Sequence, residues 1–163
     1  MRRSITVLCL SALISPPLAA SETIAIEIGR GIHNNRGSDA LFLRYADDLR
    51  ESQLFGRNFY AWSLGRWDGE GSNNAVGFEL GTLGRWGKYH LDGSAGIAYL
   101  GDKTSLSGTH QQFSVRIGAG ITHGQMNIGA YLTHYSNAKP LFGWDGPNAG
   151  YDFISFQIGY VLK

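Results

Sequence analysis

The sequence predicts an all-β protein, an eight-stranded antiparallel transmembrane β-barrel that follows a cleaved signal peptide. Three observations predict this class. Apolar residues recur at every second position in about eight runs, which is the side-chain period of a β-strand. The runs are about 8 to 12 residues long, close to the length with which a tilted strand crosses a bilayer. The opposite face carries small residues and five charges that could pair inside a narrow barrel: Glu27, Arg44, Glu79, Asp92 and Arg116.

The N-terminal segment has the pattern of a secretory signal. Arg2 and Arg3 precede an apolar run over residues 5–14, and small residues follow up to position 20. The apolar run is shorter than the ~20 residues that a membrane-spanning helix needs. We therefore predict that residues 1–20 are a cleaved signal peptide and that residues 21–163 form one barrel domain.

The composition after this segment argues against several classes of protein. The only cysteine, Cys9, belongs to the signal, so the mature chain has no disulfide and no cysteine-based metal site. Without Arg2 and Arg3, the 14 basic residues fall to 12 against 13 acidic ones, which gives no reason to expect a nucleic-acid partner. Four histidines lack metal-ligand spacing, and no metal or other cofactor is predicted: His33, His90, His110 and His123.

The alternating runs follow one another along the whole mature chain. They cover residues 23–29, 40–47, 58–67, 74–85, 89–99, 112–122, 126–136 and 152–162. We expect their apolar faces to point outward to lipid, whereas in a soluble ligand-binding barrel, the structural rival, they would point inward. The outward residues of the first and last runs are then Ile24, Ile26, Ile28, Ile154, Phe156 and Ile158. The tryptophans near strand ends are expected in interfacial aromatic belts: Trp62, Trp67, Trp86 and Trp144.

The connections between runs predict the orientation. With both termini in the periplasm, even-numbered connections should be short and odd-numbered ones longer. Residues 86–88 and 123–125 are tight turns, whereas residues 48–57 are longer than this rule expects. The odd connections are rich in Gly, Asn, Ser and Asp and cover residues 31–39, 68–73, 100–111 and 137–150. The outer ends of the last two strands should therefore lie at the level of the outer leaflet.

The candidate chemistry lies on these last two strands. His134 and Ser136 are two residues apart and share one face of a strand, and Asp152 has the matching parity on the next strand. A serine hydroxyl is a weak nucleophile until a neighbouring base takes its proton, and a third group must orient that base. The three residue types suggest hydrolysis on the apolar outer wall. A purely structural cluster is the alternative, because ionisable groups cost little near the membrane interface.

The residues around this cluster resemble a known family. HYSNA at residues 134–138 and PNAGYD at residues 147–152 are similar to the HYSNAG and PNxGxE motifs of the outer-membrane lipid A 3-O-deacylases of the PagL type. The resemblance implies a carboxylic ester hydrolase that removes the ester-linked acyl chain from the 3-position of lipid A. It implies Ser136 as the nucleophile, His134 as the general base and Asp152 as the acid that orients the histidine. It also makes Asn137 a candidate oxyanion donor, together with nearby backbone N–H groups.

Three departures from the family motifs stand out. Asp152 occupies the position of a glutamate and is one methylene shorter, and the loop between the motif halves is longer than in the family. Lys139 replaces the glycine after HYSNA and could offer a cation to a lipid A phosphate.

Arg66, on the outer face of the third strand, is a second candidate for binding a lipid A phosphate. The acyl-chain bed is expected at Leu132, Ile154 and Phe156.

Two functions from different classes stay open at this point. The first is a lipid A esterase in the outer membrane of a Gram-negative bacterium, with lipopolysaccharide as its substrate. The second is a non-catalytic barrel that serves as an adhesin or stabilises the envelope. The parity of Asp152 favours the enzyme. The sequence leaves open whether the barrel acts alone or as a homodimer.

Overall fold

The computed structural model describes residues 22–52, 56–139, 143 and 146–162, without the side chains of residues 50–52, and within these ranges eight antiparallel β-strands form a closed barrel. The strands are β1 (Thr23–Gly31), β2 (Asp39–Ser52), β3 (Gly56–Asp68), β4 (Asn73–Trp86), β5 (Tyr89–Leu100), β6 (Gln111–His123), β7 (Met126–Ser136) and β8 (Tyr151–Val161). Each strand pairs with the next, and β1 pairs with β8. The predicted all-β, eight-stranded antiparallel barrel is therefore confirmed. The predicted signal peptide lies outside the described residues.

The apolar faces of the strands point outward, as the alternation predicts. On β1 the side chains of Ile24, Ile26 and Ile28 are 43% to 68% exposed, while the intervening Ala25 and Glu27 are buried. The same pattern holds on β8. An outer wall of isoleucine, leucine and aromatic side chains suits a hydrocarbon environment. Across the described ranges, the chain contains no α-helix with the length and apolar character of a membrane span.

The connection between β2 and β3 differs from the sequence-based expectation. β2 continues to Ser52 and β3 begins at Gly56, so only residues 53–55 separate them, instead of the predicted residues 48–57. The register shifts between Asp48 and Arg50, where one extra residue interrupts the pairing. A bulge of this kind breaks the alternation and hides the end of a strand from a period-two pattern. All three connections at this end of the barrel are therefore short.

The interior of the barrel, toward the end with the short turns, is filled by a polar network around Arg116. Its guanidinium donates to Glu27 at 2.7 Å and to Asp92 at 3.0 Å, and Arg44 donates to Glu79 at 2.5 Å. The five side chains are each less than 8% exposed. The predicted inward charges therefore pair with one another, as the narrow interior of an eight-stranded barrel requires.

The upper interior, at the end with the longer connections, is an aromatic core. Trp67 stacks on Tyr135 with ring centroids 5.9 Å apart and also contacts Tyr151 and Phe153 at 5.0 and 5.2 Å. Trp67 is 1% exposed, so its predicted place in an interfacial belt is wrong: its odd number puts it on the inner face of β3. Trp62 and Trp86 do point outward, and Trp144 lies outside the described residues. This core supports β7 and β8 from inside.

Candidate active site

His134 and Asp152 form a hydrogen-bonded pair on the outer wall. They are direct cross-strand partners in the β7–β8 pairing, and His134 Nδ1 lies 2.8 Å from Asp152 Oδ1. Their side chains are 46% and 23% exposed. When Nδ1 donates to the carboxylate, Nε2 of the same ring is left as an acceptor. Direct opposition also explains how the short aspartate reaches the imidazole, since such partners have Cβ atoms only about 4.5–5.5 Å apart.

Ser136 is the last residue of β7 and follows His134 on the same outward face. Its Cα partner on the other side is Phe113 of β6, so the serine lies between the His134–Asp152 pair and the outer wall of β6. Its half-buried position leaves it accessible from the lipid side. The sheet thus places His134, whose ring is oriented by Asp152, two residues before the hydroxyl of Ser136.

Asn137 has a structural task that the sequence did not predict. It is fully buried, and its amide nitrogen donates to Ser107 O at 2.9 Å and to Pro147 O at 3.1 Å. Its carbonyl oxygen accepts from the Lys139 N–H at 3.0 Å. One amide proton therefore ties Asn137 to the β5–β6 loop at Ser107, and the other ties it to Pro147 further along its own connection. In this arrangement the Asn137 side chain has no proton left to donate to an oxyanion.

The loop between β1 and β2, residues 32–38, also reaches the site. The Ile32 N–H donates to the Asp152 carbonyl at 3.0 Å, and the Asp152 N–H donates to Asn35 Oδ1 at 3.0 Å. His33 Nδ1 lies 3.3 Å from Asp152 Oδ2. Sequence reasoning missed these residues, because more than a hundred positions separate them from Asp152. The sequence indicated only that this loop and the site lie at the same end of the barrel, because both belong to odd-numbered connections or the strand ends beside them.

The other described histidines have separate surroundings. His90 Nε2 lies 3.3 Å from the Tyr131 hydroxyl inside the barrel, and the His110 ring stacks on Tyr99 with centroids 5.2 Å apart. Among the residues that the structure describes, no group of three or more His, Cys, Asp or Glu side chains is arranged to hold a metal ion.

The residues predicted to bind substrate differ in how close they lie to the site. Leu132 and Ile154 are direct cross-strand partners next to the His134–Asp152 pair, and both are 49% exposed. Phe156 follows on β8 and is 52% exposed. Lys139 donates from Nζ to Gly146 O at 2.9 Å. Arg66 does not lie near the site: it belongs to β3, four strands away from β7 on the opposite side of the barrel, and its guanidinium is 3.6 Å from the Asp68 carboxylate.

A groove on the outer wall was not predicted. It has a volume of about 480 Å³ and is lined mainly by apolar and aromatic side chains of β3 to β6, including Trp62, Phe78, Ile97 and Phe113. Phe113 is the residue paired with Ser136, so one end of the groove meets the site. Single-strand alternation cannot reveal a concavity that neighbouring strands form together.

Gly150 is required by the packing of the site. Its φ of +75° favours glycine, and a Cβ there would lie 2.6 Å from Tyr135 O and 3.1 Å from His134 Cε1. We predict that Gly150→Ala lowers the rate of the hydrolysis expected from the sequence roughly 100-fold, because displacing a reacting group by about 1 Å costs that much. Gly87→Ala is the matched control, since Gly87 has a φ of +62° with nothing within 4 Å of its Cβ. Equal rates for the two purified variants would contradict the prediction.

The fold and this site together define the class of the protein. A closed barrel with an apolar outer wall carries a hydrogen-bonded His134–Asp152 pair, and Ser136 follows two residues later on the same face, a combination that suits an outer-membrane hydrolase. A model of the family described as lipid A 3-O-deacylase (PagL) matches residues 39–161. The chain therefore belongs to the PagL family of lipid A 3-O-deacylases. Its function is the deacylation of lipid A in the outer membrane of a Gram-negative bacterium, and not that of a non-catalytic barrel.

Solved structures agree with the fold. The crystal structure of the outer membrane enzyme PagL is 19% identical, with a TM-score of 0.68, and the match covers 85% of this chain and 98% of that one. The N-terminal β-barrel domain of Pseudomonas aeruginosa OprF is 12% identical, with a TM-score of 0.58 over 87% of this chain and 97% of the domain. A de novo designed transmembrane β-barrel is 12% identical, with a TM-score of 0.56 over 87% and 95%. A comparison with curated proteins gives no match.

Proposed function

We propose that the deacylation is carried out by a serine esterase mechanism with Ser136, His134 and Asp152. Ser136 Oγ attacks the carbonyl carbon of the 3-linked ester while His134 Nε2 takes the hydroxyl proton. The tetrahedral intermediate collapses, the C–O bond to the sugar breaks, and His134 returns the proton to the leaving alkoxide. Water then attacks the acyl-enzyme with the same base and releases the fatty acid. The observation that supports this most directly is the 2.8 Å contact between His134 and Asp152.

The oxyanion of the intermediate is proposed to bind the Ala138 N–H. The neighbouring N–H groups of Asn137 and Lys139 already donate to Asn148 Oδ1 and Asn137 Oδ1, respectively. These two N–H groups therefore stabilise the loop and do not face the oxyanion. Ala138 has a φ of +49°, which is uncommon for a residue with a side chain. Strained backbone of this kind often occurs at functional sites and supports the assignment. In this proposal the Ala138 N–H, and not the Asn137 side chain, donates the hydrogen bond to the oxyanion.

The site is proposed to face the outer leaflet, where lipid A keeps its acyl chains. The connections at the site's end, residues 32–38, 69–72, 101–110 and 137–150, are longer than the turns at the other end, as in outer-membrane barrels with periplasmic termini. Lipid A would then reach Ser136 by lateral diffusion without leaving the membrane. All proposed reacting groups belong to one chain, so the mechanism does not require a homodimer.

The outer wall offers apolar surface on both sides of Ser136. The groove that ends at Phe113 is concave and suits the acyl chain that is cleaved. Leu132, Ile154 and Phe156 form an exposed apolar strip on the other side, which suits the chains that stay on the sugar. We further propose that Lys139 interacts with a phosphate of the headgroup by exchanging its present partner, Gly146 O.

A serine-directed reagent tests the proposal. Purified barrel in detergent is incubated with a long-chain alkyl fluorophosphonate, and the adduct is located by peptide mass spectrometry. We expect one adduct, on the peptide that contains Ser136, and a parallel loss of fatty-acid release from lipid A, whereas unfolded protein should not react. An adduct on another serine, or full activity after complete labelling, would contradict the mechanism.

A further inference from the structure

Asp152 is contacted on both carboxylate oxygens by histidines from different parts of the barrel. His134 of β7 approaches Oδ1 at 2.8 Å, and His33 of the β1–β2 loop approaches Oδ2 at 3.3 Å. We propose that His33 is a positioning residue for deacylation, which fixes the Asp152 carboxylate in the plane that orients His134. The inference rests on the proposed function, because it assumes that Asp152 orients the base.

The backbone around His33 supports this placement. On one side of it, the Ile32 N–H donates to the Asp152 carbonyl at 3.0 Å. On the other side, Asn35 is fully buried and accepts the Asp152 N–H at 3.0 Å. The turn is tight, since a Cβ on Gly31 would lie 2.0 Å from Asn35 O. Three anchors at Ile32, His33 and Asn35 therefore hold the loop against the main chain and the side chain of Asp152.

The short side chain of Asp152 explains why a contact from His33 would matter for the orientation of the carboxylate. A carboxylate held through one oxygen can still rotate about its bond to Cβ, and that rotation would carry the imidazole hydrogen bond out of line. The imidazole of His33 lies 3.3 Å from the second oxygen, and its electrostatic contact with that oxygen opposes the rotation. Because the His33 side chain is 78% exposed, water competes for the contact and the effect should be moderate.

His33 is also a feature of this chain beyond the matched part of the family. The family match begins at residue 39, so it does not include the β1–β2 loop. The same chain has aspartate where the family motif has glutamate. A second side chain against the shorter carboxylate compensates locally for that change. The structure therefore places His33 beside the residue at which the motif departs from the family, 119 positions away in the sequence.

Kinetics of three variants of the full barrel, purified in detergent, test the role of His33. We expect His33→Ala to lower kcat roughly 5-fold, at the upper end of what an exposed ion-pair contact contributes, with little change in KM. His33→Asn should recover most of the loss, because its amide nitrogen can take the place of Nδ1. Arg36→Ala, an exposed change in the same loop, is the control and should behave as the wild type.

A double-mutant cycle separates positioning from a general effect on the loop. In an Asp152→Ala background, His33→Ala should have no further effect on kcat, because its only route to His134 has been removed. An equal loss in both backgrounds, a His33→Ala rate equal to that of Arg36→Ala, or a failure of His33→Asn to recover would overturn the inference. Ser136→Ala distinguishes the two levels: if it stays active, the proposed mechanism fails, whereas an inactive Ser136→Ala with unaffected His33→Ala refutes only the role of His33.

Discussion

Ser136→Ala is expected to lower the release of 3-hydroxy fatty acid from lipid A by roughly 10⁴-fold or more, because alanine cannot form the acyl-enzyme. The fold should survive, since the side chain lies at the end of β7 on the outer wall and outside the buried networks. Released fatty acid and residual lipid A are measured by mass spectrometry on purified protein in detergent. Heat-modifiable migration of the same samples reports on the barrel.

The matched control for this change is Ser105→Ala, which removes an exposed hydroxyl from the β5–β6 loop. It should retain the wild-type rate. A Ser136→Ala protein that deacylates lipid A as fast as the control would disprove the serine mechanism, even though the barrel and the family assignment would stand.

Asp152→Asn should lower kcat by roughly 10²–10⁴-fold while leaving KM nearly unchanged. The base survives in this variant, but an amide that turns its nitrogen toward His134 Nδ1 favours the tautomer in which Nε2 carries the proton. That ring cannot accept the proton of Ser136. Steady-state kinetics that separate kcat from KM provide the measurement, because a residue that only orients the base does not touch the substrate.

Asp102→Asn serves as the control, since Asp102 is an exposed carboxylate on the β5–β6 loop. Its kinetics should match the wild type. A wild-type kcat for Asp152→Asn would show that His134 needs no carboxylate, and a change confined to KM would show that Asp152 acts on substrate binding instead.

The fold was largely predictable because alternation is a local property. Each run of β1, β3 to β8 and the first half of β2 shows its outer face through residues two positions apart, as at Ile26 and Phe156. The prediction was incomplete where the local rule breaks. The shift between Asp48 and Arg50 concealed the second half of β2, and Trp67 was assigned by its closeness to a strand end instead of by its parity.

The sequence by itself determined which face of each strand meets lipid, and that His134 and Ser136 share one face, because both depend only on the two-residue period of a strand. It also carried the motifs by which the family is recognised. The tertiary structure decided what holds the site together. Strand register places Asp152 directly opposite His134, and closure of β1 against β8 brings His33 and Asn35 to that carboxylate. The carbonyl of Ser107, in the β5–β6 loop, accepts a hydrogen bond from the Asn137 side-chain amide. These contacts join residues 18 to 119 positions apart, and their geometry follows from barrel closure and loop packing, which no local pattern records.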